Sequence, residues 1–311
     1  MKFLVILSAL LANYLWLKDF DRFDDGWFFR FRGRVESGLG VVGRRASNIW
    51  ILAQCIIYLV PILTLFLVLT LIQGQVFGVP TMLLHILVLL VALDRTQPGR
   101  LAKGFLEHFA SGNLDSCRSW LKSELAVASD VDLGDRVSIG RYFSRQLTYR
   151  CFERMFVMYF WYLVTGPVGV VFCYISYQLR DSHREDQPSD EVKFVKLVVA
   201  VLEWIPLRLL ALTFSLAGNF VHSFNRIRGS FWSFQTGPES GELLYGCAAF
   251  AVGGMAAEED EGSSGLAGSE SVQQSQWKQE AQHIEALQAL LERSQSIWLA
   301  LLALGTIFAL P

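Results

Sequence analysis

Long runs without formal charge dominate the hydrophobic pattern of the chain. The first lies between Arg45 and Asp94 and covers 48 consecutive positions. Because roughly 20 apolar helical residues cross a bilayer core, this run predicts two passes. We expect the first pass from about Ile49 to Ile72 and a shorter second pass from Thr81 to Leu93. The glycines and proline of residues 73–80 are expected to break the helix between them.

A third uncharged run lies between Arg154 and Arg180 and is rich in aromatic residues. Gly166 and Pro167 stand near its middle. The run therefore predicts either one kinked span or a helix followed by a re-entrant half-helix.

Two more apolar segments complete the pattern. Residues 197–221 form the fourth, and the fifth runs from Ser294 to Pro311, where its 18 residues suffice for a final span. At the N-terminus, Met1–Leu17 resembles a signal peptide, but no small-x-small cleavage site follows it. We expect this segment to be retained as a hydrophobic or interfacial helix.

The stretches between these apolar segments are predicted to be helical or mobile. Residues 94–154 show amphipathic periodicity, with Asp115 as a possible helix cap, whereas Gly253–Gln276 is acidic, rich in Gly and Ser, and expected to be mobile. The predicted fold is all-α, a polytopic membrane helical bundle with amphipathic cytoplasmic helices. Its predicted parts are an N-terminal helix and basic cytoplasmic segment (1–48), a transmembrane hairpin (49–93), a cytoplasmic helical region (94–154), transmembrane helices with a Gly-Pro break (155–221), a soluble loop with an acidic linker and an amphipathic helix (222–293), and a C-terminal transmembrane helix (294–311).

The distribution of basic residues predicts the orientation. Residues 18–48 carry seven Lys or Arg and residues 94–154 carry ten, whereas residues 73–80 carry none. By the positive-inside rule, the two basic stretches are cytoplasmic and the turn is external. A single span through Gly166-Pro167 would export the loop that follows Arg180, whereas a re-entrant pair would keep it cytoplasmic. The basic residues of that loop favour the second arrangement.

Composition agrees with a membrane protein and excludes several other classes. The 311 residues are 52% apolar and 18% charged, and the mean hydropathy is +0.36. A net charge of −2 gives no support for nucleic-acid binding. The five histidines and five cysteines are scattered, and no phosphate-binding loop occurs. The sequence therefore predicts no cofactor, no metal and no catalytic residue.

Two charged residues inside the fourth apolar segment are the main functional signal. A charge near the bilayer centre costs at least ~2.5 kcal/mol on insertion scales, so Glu203 and Arg208 are expected to have partners. Pro206 between them is expected to set a kink, and Trp204 to pack or stack at the interface. The pair would either hold a polar head group or fix helix register.

The same segment carries a family resemblance. The stretch from Val201 to Ala211, read with the Trp-Tyr-x-x-x-Gly-Pro sequence that begins at Trp161 and with Asp25-Gly26-Trp27, resembles the AmpE family of bacterial inner-membrane proteins. The resemblance runs to about Phe220. It adds five candidate supporting residues: Glu153, Trp161, Gly166, Pro167 and Asn219.

The resemblance implies a regulatory or signalling role, without catalysis, linked to cell-wall recycling and β-lactamase induction. Its implied partners are the lipid bilayer, a functional link to the AmpD amidase and a lipid-like or muropeptide ligand. A more distant similarity to the CobD/CbiB enzymes of cobalamin synthesis implies an alternative, ATP- and Mg²⁺-dependent amide formation. Only Glu153 matches the polar residues of those enzymes in this region. A subunit for muropeptide transport is a third possibility.

Overall fold

Every residue that the computed structural model describes as regular structure is helical, which confirms the all-α prediction for those residues. The described residues are 2–15, 26–42, 49–72, 78–93, 98–110, 113–125, 136–182, 190–217, 238–253 and 270–308. The chain divides into two compact units. The first unit comprises Met1–Arg95, Val157–Glu203 and Leu302–Pro311, and the second comprises Thr96–Phe156 and Trp204–Leu301.

Apolar helices build the first unit. The helices that lie wholly or by half in this unit are α1 (Lys2–Leu15), α2 (Gly26–Val42), α3 (Ile49–Ile72), α4 (Val79–Ala92), α8 (Met158–Thr165), α9 (Pro167–Ser182) and the first half of α10 (Asp190–Ala217). Helix α1 packs on α4, and α2 packs on α3. Helices α3, α4 and α8 all pack on α9, and a buried hydrogen bond of 3.1 Å joins the hydroxyls of Tyr58 on α3 and Ser176 on α9.

Amphipathic helices build the second unit around an aromatic core. The rings of Phe105 and Phe143 are stacked with their centroids 3.9 Å apart, and both side chains are fully buried. The helices of this unit are α5 (Pro98–Ala110), α6 (Leu114–Leu125), α7 (Arg136–Cys151), α11 (Pro238–Val252) and most of α12 (Glu270–Phe308), together with a π-helical segment (Phe152–Val157) and the second half of α10.

Helix α3 exposes apolar surface that water does not favour. Among the described residues, two helices are long and apolar enough to cross a membrane, at Trp50–Ile72 and Asp190–Ala217. Only 11% of the residues in an apolar 18-residue stretch of the first are buried within the protein, and Leu63 near its centre is 59% exposed. The core helix of a soluble protein would be buried, so this exposure indicates association with lipid.

The predicted break at Gly166-Pro167 is a helix boundary. Helix α8 ends at Thr165 and α9 begins at Pro167, where a proline is tolerated because the first turn of a helix lacks partners for its N–H groups. Gly166 has φ 73° and ψ −154°, a conformation that is essentially open to glycine only. Because α8 and α9 then pack on each other, the two helices form a hairpin rather than one continuous kinked helix.

Several local predictions need correction. Helix α6 begins at Leu114, and its cap is Asn113, whose side-chain oxygen accepts bonds from the backbone N–H groups of Asp115 and Ser116. Asp115 instead lies in the first turn and pairs with Arg118 at 3.0 Å.

Helices α2 and α11 were not predicted, because glycines interrupt both of their hydrophobic patterns. Helix α12 starts at Glu270, inside the tract expected to be mobile, and continues without a break into the terminal apolar segment. The remainder of that tract, residues 254–269, lies outside the described residues.

Candidate functional site

Glu203 is the most deeply buried carboxylate among the predicted site residues. It lies on α10 in the first unit and is 1% exposed. The hydroxyl of Tyr177 on α9 donates a hydrogen bond of 3.1 Å to its Oε1 atom, and Nη1 of Arg180 lies 3.9 Å from the same atom. Both contacts are made to Oε1, so they supply only part of the compensation that burying a charge demands.

Arg180 connects this carboxylate to the end of α9. Its guanidinium carbon lies 4.8 Å from the centre of the Tyr177 ring, and its Nη2 atom forms an ion pair of 2.7 Å with Asp181. The group of Tyr177, Arg180, Asp181 and Glu203, called the Glu203 cluster below, carries two acidic groups and one basic group. It thus combines a buried anion with a cation that is 20% exposed.

Trp161 holds the helix that carries Glu203. Its indole Nε1 donates a hydrogen bond of 3.0 Å to the carbonyl oxygen of Leu202. In a regular helix that carbonyl would accept from the N–H of residue 206, but Pro206 has none. The indole of α8 therefore supplies the donor that the proline removes.

Trp204 and Arg208 form a local pair in the second unit. The guanidinium of Arg208 lies over the indole of Trp204 at 4.2 Å from its centre, and Nη1 donates a bond of 2.6 Å to the Trp204 carbonyl oxygen. Arg208 is only 7% exposed, and these two contacts within its own helix stabilise the buried cation. The described partners of Glu203 lie on α9, and a direct Glu203–Arg208 pair stays a prediction.

Glu153 occupies the π-helical segment of the second unit. It is 4% exposed, and its carboxylate lies 3.4 Å from Nε of Arg154. The ring of Phe156 in the same segment meets Trp298 of α12 edge to face, and the Trp298 indole donates a bond of 3.0 Å to Thr213. Isolated π-helical turns often occur at functional sites, so Glu153 stays a candidate.

The remaining predicted residues either have a structural role or lie outside the described residues. Gly166 and Pro167 form the turn between α8 and α9 and thereby place Trp161 and Tyr177 on the two arms of one hairpin. Asn219 lies outside the described residues.

Tyr177 and Arg180 were missed as site residues. Both lie at the end of an apolar run, where an arginine is usually taken to reach toward the head groups. Their i, i+3 spacing was the available signal, because it places both side chains on the face of α9 that meets Glu203.

The helical architecture and the exposed apolar face of α3 indicate the class of the protein, an all-α protein associated with membranes. The family model described as "Regulatory signalling modulator protein AmpE" matches residues 10–237. The chain belongs to the AmpE family, which confirms the resemblance seen in the sequence. No curated protein and no solved structure is similar enough to this chain to count as a match.

Proposed function

We propose that this protein is a multi-pass inner-membrane regulator that recognises a polar ligand through the Glu203 cluster. The observation that carries the proposal is the burial of the Glu203 carboxylate between Tyr177 and Arg180 on apolar helices. Ionisable residues kept within apolar helices are costly and mark functional sites by default. The match to a family of regulatory signalling modulators supports a role in signalling rather than in catalysis.

The ligand class follows from the groups in the cluster. Arg180 is a planar donor suited to carboxylates and phosphates, and Glu203 and Asp181 are acceptors suited to amines and hydroxyls. Lipid-like molecules and muropeptides released in cell-wall recycling present both kinds of group. Recognition of such a molecule, coupled to β-lactamase induction and functionally linked to the AmpD amidase, is the role that we infer.

Contacts within the first unit support a specific topology. Gln54, near the start of α3, donates a bond of 2.6 Å to Glu191 at the start of α10, and Arg32 of α2 donates to Ser182 at the end of α9. The end of α9, the start of α10 and the start of α3 therefore lie at the same end of this unit. Since residues 18–48 are predicted to be cytoplasmic, we infer that the end of α9 and the start of α10 face the cytoplasm and that α8 and α9 form a re-entrant pair.

The experiment is chromosomal replacement of the gene by variants, followed by measurement of β-lactamase induction at matched membrane levels. Glu203→Gln is expected to change induction at least fivefold, while the control Glu242→Gln, which alters an exposed carboxylate of the second unit, leaves it unchanged. The exchange Glu203→Arg with Arg180→Glu separates ligand recognition from structure. Recognition predicts that the exchanged protein accumulates normally and remains defective, whereas full recovery of induction, or normal induction by Glu203→Gln, contradicts the proposal.

A further inference from the structure

Helix α2 presents two different faces. On the inner face, Phe28 is fully buried against the ring of Tyr174, and Arg32 donates to Ser182 at the end of α9. Toward the outer face, Phe29 is 44% exposed, and Trp27 is 43% exposed although one side of its ring stacks on Tyr174. The outer face is therefore apolar enough to be unfavourable in water, although the helix is firmly attached by its inner face.

Two arginines lie among these exposed aromatic residues. Arg30 and Arg34 are exposed and one helical turn apart, and neither forms an ion pair with any residue that the structure describes. Like charges at i and i+4 repel each other by a few tenths of a kcal/mol. An anion held between the two guanidinium groups removes this repulsion and accepts hydrogen bonds from both.

The neighbours of α2 indicate where that anion resides. The helix packs on α3, whose apolar surface is exposed along its length, with Leu52 near its start 52% exposed. Arg32 of α2 and Gln54 near the start of α3 both lie close to Glu191, so a bilayer around α3 would meet α2 at the level of the head groups. Tryptophan and arginine are the residues enriched at that level of a membrane protein on its cytoplasmic side.

We propose that the outer face of α2, formed by Trp27, Phe29, Arg30 and Arg34, binds anionic phospholipid head groups. The two arginines hold the phosphates of an anionic lipid, and the two aromatic rings enter the head-group boundary. The stacking of Trp27 on Tyr174 and the bond from Arg32 to Ser182 link this lipid contact to α9, the helix that also carries Tyr177 and Arg180. This inference is independent of the ligand proposed for the Glu203 cluster.

The test is a titration of the full-length protein in detergent with dioleoyl phosphatidylglycerol, and separately with the phosphatidylcholine of the same chains, followed by native mass spectrometry. The protein is expected to retain phosphatidylglycerol in preference to phosphatidylcholine. Each basic residue at an anionic surface contributes ~1 kcal/mol, so the double variant Arg30→Gln with Arg34→Gln should bind phosphatidylglycerol about 30-fold more weakly. The double variant with lysine at both positions should retain most of the binding, which also shows that substitution at these positions permits folding.

A matched control removes the same charge elsewhere. Lys193 and Lys196 are exposed at the start of α10, at the same end of the first unit, so Lys193→Gln with Lys196→Gln should leave the preference unchanged. Equal retention of both lipids by the unaltered protein overturns the proposal. So does an equal loss in the control, because general charge attraction would then be sufficient.

Discussion

The indole Nε1 of Trp161 donates a hydrogen bond to the carbonyl of Leu202, the carbonyl that Pro206 leaves without its helical donor. The segments around Trp161 and Pro206 lie far apart in the sequence but meet in one hydrogen-bonded contact. Pro206 removes a backbone hydrogen bond beside Glu203, and Trp161 of the neighbouring helix replaces it.

Removal of the Trp161 donor should be costly only while the proline is present. Trp161→Phe leaves a buried carbonyl unpaired, and we expect a loss of about 1–3 kcal/mol of stability. Pro206→Ala restores a helical N–H to Leu202, so the loss of the hydrogen bond should disappear in the double variant. A double-mutant cycle of thermal unfolding in detergent measures this coupling. Strictly additive effects of the two substitutions would show that the bond does not replace the helical donor.

The turn between α8 and α9 should tolerate glycine alone. Gly166 has positive φ and ψ near the extended limit, so Gly166→Ala should cost about 1–3 kcal/mol of stability. Gly246 in the middle of α11 is the matched control, since a Cβ there meets nothing within 4 Å. Gly246→Ala should raise stability by about 0.5–1 kcal/mol through its better helix propensity. Equal effects at the two positions would argue against the hairpin.

The Tyr177 hydroxyl and the Glu203 carboxylate should depend on each other. Tyr177→Phe removes one donor to a buried charge, and we expect a loss of about 1.5–3 kcal/mol, the range for hydrogen bonds to charged groups. In a Glu203→Gln background the same substitution should cost about half as much, because the acceptor is then neutral. Thermal unfolding of the four proteins gives the interaction free energy. An interaction free energy of zero would show that this hydrogen bond does not stabilise the protein.

Two residues of helix α12 should make the stability of the second unit depend on pH, and their two contributions should change in opposite directions as the pH rises. Burial raises the pKa of Glu280, partly offset by Arg141, so its folded form favours the protonated carboxyl. Stability from this residue is present below the unfolded pKa of 4.5 and is lost as the pH rises above it. Burial lowers the pKa of His283, so its contribution is present above the unfolded pKa of 6.5 and is lost as the pH falls below it.

Two substitutions separate these contributions. Glu280→Gln should stabilise the protein at pH 7 and have no effect near pH 4, whereas His283→Phe should remove the loss of stability on acidification below pH 6.5. Chemical or thermal unfolding followed across this pH range measures both. A Glu280→Gln protein that is no more stable than the original at pH 7 would contradict the assigned direction.

The apolar segments were predictable because their signal is strong and local. The predicted span from Ile49 to Ile72 coincides with α3, and the Gly166-Pro167 break with the end of α8. The second pass was expected from Thr81, but α4 starts at Val79, because Pro80 fits the first turn of a helix.

The partners of the predicted site residues were harder to infer. Glu203 was identified from its charge alone, but its contact with Arg180 depends on how α9 packs against α10, and sequence spacing gives no measure of that packing. The Trp161–Leu202 hydrogen bond could not be predicted for a related reason. Its acceptor is a backbone carbonyl, so the identity of the side chain at position 202 does not indicate the bond.

The central claim is that lipid surrounds the exposed apolar face of α3, and cysteine labelling at its centre tests this most directly. With Cys55 replaced by serine and the four buried cysteines by alanine, Leu63→Cys and the exposed control Lys193→Cys are treated in inside-out vesicles of the native membrane with a membrane-impermeant, hydrophilic maleimide. The account predicts labelling at position 193 and none at position 63 until the membrane is dissolved and the protein denatured. Equal labelling of both positions in intact membranes would contradict it.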